Sequence, residues 1–540
     1  MDLSLVKNYA DVIDLGAAAL GDRDMVAIGD DRVSWNEMQR RAGQVANALV
    51  ADGVGSQDRV AFIDKNSIEF FEVVFGAAYV NGVTVAVNWR LAAPEMAYII
   101  NDSQAKVLIL HEEFAEQLAA FEADLTHVTR IVVIGSHGSH ASYDAWRDPR
   151  HADRGDRFAW FARLLRGRPH AHDGSFQPVG STDDDVAAQL YTSGTTGLPK
   201  GAQLTNGNFQ ALFATVDWDM DEDSRNLCVM PLFHIAGSGW ALFGMANGAV
   251  TVMMREFDPV AGLQIVESEG CTHAIFVPAI LQFFLMVPSD GIDLSSMRYI
   301  AYGASPITED VLVKSMEQFG CSFFQVYGMT ETCGAGTTLP PEDHGEGADP
   351  GLLRSAGRPI RGMEMKIVDP ETGEPVPDGE VGEVWMRHDG IMKGYWNMPE
   401  ETAKAMPGDG WLRSGDIAYM VDGYLYIHDR VKDMIISGGE NVYPAEIENA
   451  LMSHDGIADV AVVGVPDEKW GEVGKALVVP VPDSGVTAED ILAHARERLA
   501  GFKIPRSVDF VEAIPRNPSG KILKRELREP YWEGHDRRVG

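Results

Sequence analysis

The sequence predicts an α/β fold that is divided into at least two domains. The chain has 540 residues, which is more than one hydrophobic core usually supports, so a large composite lobe and a smaller one are expected. Its apolar residues alternate between short runs that are typical of buried strands and longer runs that are typical of helices. This alternation indicates mainly parallel sheets that are covered by helices.

The alternation is clearest near the N-terminus. Residues 60–66 (VAFIDKN) and 106–110 (KVLIL) are predicted as strands, and residues 70–82 and 112–125 as the helices between them. Residues 135–185 are rich in glycine, histidine, arginine, serine and aspartate, and this composition predicts a loop or a partly disordered insertion. The histidines there have irregular spacing and no neighbouring cysteine, which favours a solvated loop over a metal site.

Residues 226–254 form the most apolar segment of the chain. We expect buried strands around a binding site rather than a membrane span, because Pro231, four glycines and Asn247 interrupt the segment. The N-terminus carries Asp2, Asp11 and Asp14 where a signal peptide would be basic and then apolar. The sequence therefore predicts neither export nor stable membrane insertion.

The overall charge and the cysteines restrict the classes of partner and compartment. There are 45 basic and 80 acidic side chains, and the resulting net charge of −35 argues against nucleic acid or an anionic membrane as a partner. The four cysteines lack C-x-x-C spacing, which makes a disulfide framework or a zinc site unexpected. A reducing cytoplasm fits this pattern best.

Residues 191–201 (YTSGTTGLPKG) predict a loop that binds a polyphosphate. Glycines allow backbone N–H groups to approach phosphate oxygens, hydroxyl groups add donors, and a lysine can neutralise charge. The residues concerned are Thr192, Ser193, Gly194, Thr195, Thr196, Gly197 and Lys200. The spacing of the nucleotide-binding motif G-x-x-x-x-G-K-[ST] is not met, so the loop is of another kind.

Six further segments follow in order: PLFHIAGSGW at 231–240, YGASP at 302–306, QVYGMTET at 325–332, GWLRSGDIAYM at 410–420, YLYIHDRVKDMIISGGENVYPAEIE at 424–448 and PRNPSGKILKREL at 515–527. Together with the phosphate loop, they resemble the adenylate-forming acyl-CoA synthetase and luciferase-like family over nearly the whole chain. The resemblance implies a large composite N-terminal lobe with mainly parallel sheets, residues 1–431, and a small mobile α+β lobe, residues 432–540. The charged turn at Lys432, between two strand-like segments, then matches the hinge.

The resemblance also implies where ATP and Mg²⁺ bind. The adenine turn would be Gly303, Ala304 and Ser305, and Tyr327, beside Gly328, would stack on the adenine. Thr330 would lie near the phosphates, and Glu331 with Thr192 would hold Mg²⁺. Asp416 would accept hydrogen bonds from both ribose hydroxyls, and Arg430 would also reach the ribose.

The remaining implied roles concern the acid and coenzyme A. His234 would border the substrate carboxylate, and Lys521 would stabilise the adenylation transition state. Gly438 and Gly439 would leave room for the pantetheine arm. Residues 496–528 carry 9 basic and 4 acidic side chains, which suits the phosphates of ATP or coenzyme A.

The expected activity is that of an AMP-forming acid–thiol ligase that acts on a small-molecule carboxylic acid. The expected acyl pocket contains Phe233, His234, Trp240 and Gly328. Acetate-activating relatives have tryptophan at the position of Gly328, so glycine favours a medium- or long-chain fatty acid. Trp240 lies two positions beyond the gating tryptophan of long-chain relatives, which favours a core role.

Several alternatives stay open at this point. The acid could instead be aryl, branched or a sterol side chain, and the acceptor could be a carrier protein. A non-catalytic binding protein would require loss of Lys521, Glu331 or Asp416, and all three are present. A light-emitting oxidase is compatible with the same motifs, and a homodimer is compatible with the sequence.

Overall fold

The computed structural model describes residues 2–135, 140–147, 174–192, 198–305, 307–345, 347–370, 372–430, 433–437, 440–467, 469–516 and 522–532. The helices are α1 (Tyr9–Leu20), α2 (Trp35–Ala51), α3 (Ile68–Tyr79), α4 (Ala93–Asp102), α5 (Ala115–Phe121), α6 (Tyr143–Arg147), α7 (Asn206–Thr215), α8 (Ile235–Ala246), α9 (Pro259–Glu269), α10 (Pro278–Leu285), α11 (Glu309–Phe319), α12 (Pro399–Ala405), α13 (Pro444–Met452), α14 (Ala488–Arg498) and α15 (Lys524–Arg528).

The strands of the first half are β1 (Asp24–Ile28), β2 (Asp31–Ser34), β3 (Arg59–Ile63), β4 (Val83–Ala86), β5 (Val107–His111), β6 (Arg130–Ile134), β7 (Ala141–Ser142), β8 (Val186–Thr192), β9 (Lys200–Thr205), β10 (Arg225–Cys228), β11 (Val250–Met253) and β12 (His273–Phe276). Those of the second half are β13 (Tyr299–Gly303), β14 (Ser322–Tyr327), β15 (Thr337–Leu339), β16 (Arg358–Pro359), β17 (Glu364–Val368), β18 (Gly382–Arg387), β19 (Gly394–Tyr395), β20 (Leu412–Val421), β21 (Tyr424–Arg430), β22 (Ile435–Ser437), β23 (Glu440–Val442), β24 (Ile457–Asp467), β25 (Gly471–Pro480) and β26 (Ser507–Phe510).

Two large sheets form the body of the protein. The described strands of the first sheet run in the order β16-β15-β14-β13-β12-β10-β11-β1-β2, and those of the second in the order β19-β9-β8-β4-β3-β5-β6-β7. The strands from β14 to β1 in the first sheet and from β8 to β7 in the second pair in parallel, and antiparallel strands occur at the edges. Such sheets need apolar cover on both faces, and β3 is accordingly buried along its whole length.

Helices supply that cover because their sequences are apolar around most of their circumference. In α3, almost every side chain is buried, and α3 packs against α2. Helix α8 is buried along nearly its whole length and lies in the same hydrophobic cluster as α1, α2 and α3. The α/β class and the mainly parallel sheets of the large lobe are therefore confirmed.

Two smaller sheets follow in the chain. The described strands β17, β18, β20 and β21 form an antiparallel sheet, which the sequence analysis did not predict. Strands β22 to β26 form a mixed sheet that packs with α13 and α14 as an α+β unit. Strand β21 ends at Arg430 and β22 begins at Ile435, so the expected boundary at 431–432 lies outside the described residues and remains a prediction.

Most individual element predictions are confirmed. Residues 60–66 and 106–110 contain most of β3 and β5, and the segments 70–82 and 112–125 contain most of α3 and the whole of α5. The prediction of a loop over 135–185 is wrong at 141–147, where β7 is followed by α6, which buries Tyr143 and Trp146. Helix α6 forms because these two aromatic side chains pack together, with ring centroids 5.8 Å apart, inside the main hydrophobic cluster.

The apolar segment 226–254 contains most of β10, all of α8 and all of β11, so the expectation of buried strands is confirmed at its two ends and wrong at 235–246, where the segment forms the buried helix α8. Within the described part of the chain, no helix has both the length and the apolar character that crossing a membrane requires. The four cysteines are free thiols.

A buried ionic cluster joins α2, α3 and α6. The Glu72 carboxylate is 1% exposed and accepts hydrogen bonds from Arg41 at 2.9 Å and from the Tyr143 hydroxyl at 2.9 Å. Arg147 lies 3.3 Å from the same carboxylate. Burial, and then the charge of Glu72, raises the pKa of the nearby Glu69 to about 7.

This shift predicts a pH-dependent stability. Glu69 has a higher pKa in the folded state than its ordinary value of 4.5, so the contribution of this carboxyl group to stability falls as the pH rises from about 4.5 through about 7. Glu69→Gln, which mimics the protonated form, is expected to gain up to about 3 kcal/mol over wild type at pH 8 and only about 1 kcal/mol or less at pH 5. Thermal unfolding at both pH values measures this difference. The exposed Glu116→Gln in α5 is the control, and an equal effect of Glu69→Gln at both pH values would contradict the assignment.

Candidate active site

The described site residues converge where strands of both large sheets end. Strand β13 ends at Gly303, β14 ends at Tyr327, and β8 ends at Thr192. Thr192 Oγ1 lies 3.4 Å from Glu331 Oε1, and the Tyr327 hydroxyl donates to Asp416 Oδ2 at 2.8 Å. The carboxyl ends of parallel strands are the usual place for a ligand in α/β folds, and here they face the antiparallel strand β20.

Glu331 lies at the centre of this convergence. It follows β14 in a short 3₁₀ turn, Thr330–Thr332, and is 5% exposed. Its carboxylate accepts a hydrogen bond from the Tyr395 hydroxyl at 2.8 Å, and its backbone oxygen accepts one from Met392 N at 2.8 Å. Among the described residues, no lysine, arginine or histidine forms an ion pair with it. A buried carboxylate beside two hydroxyl groups fits a hard divalent cation such as Mg²⁺.

Tyr395 is a site residue that the sequence analysis missed. It lies in the two-residue strand β19, which pairs with β9 so that Tyr395 is opposite Ala202. Burial, and then the charge of Glu331, raises the pKa of the Tyr395 hydroxyl, so it stays a hydrogen-bond donor. A strand of two residues has no periodicity, and only its long-range pairing shows that this tyrosine belongs to the site.

Lys200, expected to neutralise phosphate charge, forms an ion pair with Glu401 of α12. Its ammonium also lies 5.1 Å from the centre of the Tyr395 ring. The hydrogen bond from Lys200, and then that from Lys404, lowers the pKa of Glu401 to about 2. Lys200 therefore connects the start of β9 to α12. Residues Ser193, Gly194, Thr195, Thr196 and Gly197 of the predicted phosphate loop lie outside the described residues.

The predicted ribose residues come together at the backbone level. Asp416 on β20 and Arg430 on β21 are cross-strand partners, although the side chain of Arg430 is outside the described part. Asp416 is further fixed by its backbone N–H, which donates to Ser414 Oγ at 3.0 Å. The bond from Tyr327 brings this sheet to the end of β14.

The adenine turn is shaped by a close backbone approach. A Cβ atom on Gly303 would lie 2.0 Å from the carbonyl oxygen of Val326, so only glycine allows β13 and β14 to meet here. Ala304 has a φ of +66°, which is a strained value for a residue with a side chain. Two residues before Tyr327 on β14, the Oε1 atom of Gln325 is buried and has no hydrogen-bond partner among the described residues. Nothing in the local sequence marks this buried acceptor.

His234 caps the N-terminus of α8. Its Nδ1 accepts a hydrogen bond from Ala236 N at 3.1 Å, so the proton of the neutral ring is on Nε2. Phe233 and His234 are half-buried. A Cβ atom on Gly334 would lie 3.2 Å from Ile235, the residue after His234, which shows that α8 begins beside the turn that carries Glu331.

Gly328 is constrained by the backbone around it. A Cβ atom there would lie 2.3 Å from the carbonyl oxygen of Gly334 and 2.8 Å from Ala335 Cα. The close approach of these segments requires glycine whatever the size of the substrate. Trp240, which is 3% exposed, lies in the hydrophobic core, as the spacing from His234 favoured.

The C-terminal residues of the predicted site are outside the described part of the chain. These are Lys432, Gly438, Gly439 and Lys521. Several cations of the basic segment 496–528 are paired with carboxylates of the same lobe, so its local positive charge is partly neutralised. The ion pairs are Lys503–Glu446, Arg516–Asp459, Lys524–Glu448 and Arg528–Asp433.

Two family models match this chain in sequence order. Residues 15–396 match the family model described as AMP-binding enzyme, and residues 446–521 match the AMP-binding enzyme C-terminal domain. The chain is 38% identical over 517 residues to the fatty acid–[acyl-carrier-protein] ligase ScoC of Streptomyces coeruleorubidus, covering 94% of this chain and 93% of that protein. It is 39% identical over 508 residues to a feruloyl-CoA synthase of an Amycolatopsis species, covering 93% and 95%.

Among solved structures, the anthranilate CoA ligase AuaEII in complex with anthranoyl-AMP matches with a TM-score of 0.86 and 26% identity, over 98% of this chain and 99% of that chain. The two family matches lie in the expected order and cover most of the sequence. The chain therefore belongs to the AMP-binding enzyme family of adenylate-forming acid–thiol ligases.

Proposed function

We propose that this protein is an ATP-dependent acid–CoA ligase that activates a small carboxylic acid as an acyl-adenylate and then transfers the acyl group to coenzyme A. The observation that carries the proposal is the buried Glu331 carboxylate, which Tyr395 and Thr192 contact. Glu331 lies between the β8–β9 hairpin, which carries the predicted phosphate loop, and Tyr327 and Asp416, which are predicted to bind adenosine.

The reaction needs two steps because a carboxylate has no good leaving group. A carboxylate oxygen attacks the α-phosphorus of ATP, the bond to pyrophosphate breaks, and an acyl-adenylate forms. The thiol sulfur of coenzyme A then attacks the acyl carbon, the proton leaves the sulfur, and AMP departs. Rotation of the C-terminal lobe about Lys432 would let one site serve both steps.

Each of the following site residues has a proposed task. Glu331 and Thr192 would hold Mg²⁺, which supplies positive charge beside the phosphates. The Nε2–H group of His234 is a donor for the substrate carboxylate, and Lys521 would stabilise the adenylation transition state. The buried Gln325 Oε1 would accept from the exocyclic amine of adenine, since an unsatisfied buried acceptor is costly in the absence of a ligand.

The acceptor is a separate question, because one relative is named as a carrier-protein ligase and another as a CoA synthase. Gly438 and Gly439 would admit the pantetheine arm of coenzyme A, which is the proposed acceptor. Both acceptors present this arm, so the choice needs an experiment. AMP release should be measured with a panel of acids, with coenzyme A, with a phosphopantetheinylated carrier protein and with neither. If thioester forms only on the carrier protein, the acceptor is a carrier protein and not coenzyme A.

Four other expectations from the sequence are also proposals. The boundary between lobes is near Lys432, the protein works in the cytoplasm, its four free cysteines suit a reducing compartment, and it acts without a nucleic-acid partner.

Lys521 provides a test of the division between the two steps. Lys521→Ala is expected to slow adenylate formation from ATP by about a thousandfold or more, because the cation stabilises charge only in that transition state. The variant should still convert synthetic acyl-adenylate and coenzyme A to acyl-CoA at nearly the wild-type rate. Lys524→Ala is the control, since Lys524 is paired with Glu448. Equal losses in both half-reactions for Lys521→Ala would contradict its assigned role.

Glu331 provides a test of the metal site. Glu331→Gln keeps an acceptor for the Tyr395 hydroxyl but removes the charge, so adenylate formation should fall by about a hundredfold or more at limiting Mg²⁺. Calorimetry of ATP binding with Mg²⁺ and with a chelator gives a second readout: the gain in affinity that Mg²⁺ provides should shrink in the variant. Glu401→Gln alters a carboxylate that is already paired with Lys200 and should keep that gain. If Mg²⁺ increases the affinity for ATP as much in Glu331→Gln as in wild type, Glu331 does not belong to the metal site.

A further inference from the structure

The acyl side of the site has a half-buried rim and a closed interior. His234 and Ala236 at the start of α8, and Met329 and Gly334 after β14, are half-buried and form the rim. The residues behind them are buried: Ile235 is 6% exposed, Val326 is 6% exposed and Ala335 is 2% exposed. An acyl group that enters beside His234 therefore meets packed side chains behind this rim.

An aromatic cluster, which we call the floor, lies behind Val326. It consists of Trp218, Trp240, Phe243 and Phe324. The ring centroids of Trp218 lie 5.2 Å from Trp240, 4.7 Å from Phe243 and 5.5 Å from Phe324. The ring centroids of Trp240 and Phe324 are 6.5 Å apart, so these two rings also pack together. These separations are those of rings in contact.

The floor is held in place from several directions. The carbonyl oxygen of Trp218 lies 3.1 Å from His273 Nε2, and His273 is fully buried in β12. The backbone oxygen of Trp240 accepts a hydrogen bond from Asn226 Nδ2 of β10 at 3.2 Å. Phe324 is part of β14 and pairs in register with Ala301. A chain that passed the floor would have to displace side chains that three strands and α8 hold in place.

The rise per residue along α8 and β14 gives the depth of the site on the side where the acyl group would bind. Trp240 is six residues beyond His234 along α8, which corresponds to about 9 Å of helix axis. Phe324 is two residues before Val326 on the same face of β14, which corresponds to about 7 Å. These distances accommodate a single aromatic ring or a chain of a few carbons. They do not accommodate an extended long-chain acyl group.

We infer that the acid is a compact, preferentially aromatic carboxylic acid, and that Trp240 sets the limit on its length. The inference rests on the proposed function and names the substrate class of the same site. The aromatic rings of the floor present faces and edges that pack well against a substrate ring. This inference replaces the medium- or long-chain fatty acid that the glycine at position 328 favoured, because that glycine is explained by the approach of Gly334.

Binding of two stable adenylate analogues to the wild-type protein tests the inference without any chemical step. The probes are benzoyl-sulfamoyl-adenosine and hexadecanoyl-sulfamoyl-adenosine, and calorimetry measures their affinities. We expect the benzoyl analogue to bind about a hundredfold more tightly or better, since the floor excludes the surplus methylene groups. Equal or tighter binding of the hexadecanoyl analogue would overturn the inference. If neither analogue binds, the proposed function itself fails, and the inference with it.

Variants of Trp240 test which residue sets the limit. Trp240→Ala should reduce the preference for the benzoyl analogue by about tenfold or more, because it opens the floor, whereas Trp240→Phe should keep the preference within about threefold. Turnover of benzoate, cinnamate, decanoate and hexadecanoate should shift in the same direction. An unchanged preference in folded Trp240→Ala would remove Trp240 as the limiting residue. If Trp240→Ala does not fold, the comparison of the two analogues on wild type decides the substrate class.

Discussion

The burial of the Glu331 carboxylate is the constraint on which the rest of the site depends. A charge in an apolar interior is costly unless other groups stabilise it, and the described contacts are hydroxyl groups of Tyr395 and Thr192. Each contact comes from a different place in the chain: Thr192 ends β8, and Tyr395 lies in β19. The second large sheet joins these two strands through β9, so its pairing is what brings both hydroxyl groups to Glu331.

Close backbone approaches fix the opposite side of the site. Gly303 allows β13 to contact the carbonyl oxygen of Val326, and Gly328 allows the end of β14 to contact Gly334. Ala304 and Cys333 adopt positive φ values of 66° and 57° beside these contacts. Strained residues persist where the surrounding structure determines them, and here they border the predicted adenine turn and the turn of Glu331. The same packing leaves little depth between Val326 and the aromatic floor.

The sequence predicts the parts of this structure that short-range patterns encode. Buried strands such as β3 and helices such as α3 have clear apolar runs, and the motif residues Thr192, Tyr327, Glu331 and Asp416 do converge in space. It does not predict contacts that depend on long-range pairing. The Tyr395–Glu331 bond, the ion pair of Lys200 with Glu401 and the packing of Trp218 on Phe324 join residues 64, 201 and 106 positions apart in the chain. Nothing local marks such pairs, and α6 was missed for the same reason.

We propose that this site makes an acyl-adenylate on the way to a thioester. The most direct measurement is to incubate the protein with ATP, Mg²⁺ and benzoate in the absence of coenzyme A, and to analyse the bound fraction by mass spectrometry. We expect one benzoyl-adenylate per site with release of pyrophosphate, and conversion of that adenylate to benzoyl-CoA and AMP when coenzyme A is added. Benzoyl-CoA formed without any adenylate, or release of ADP and phosphate in place of pyrophosphate, would contradict the proposal.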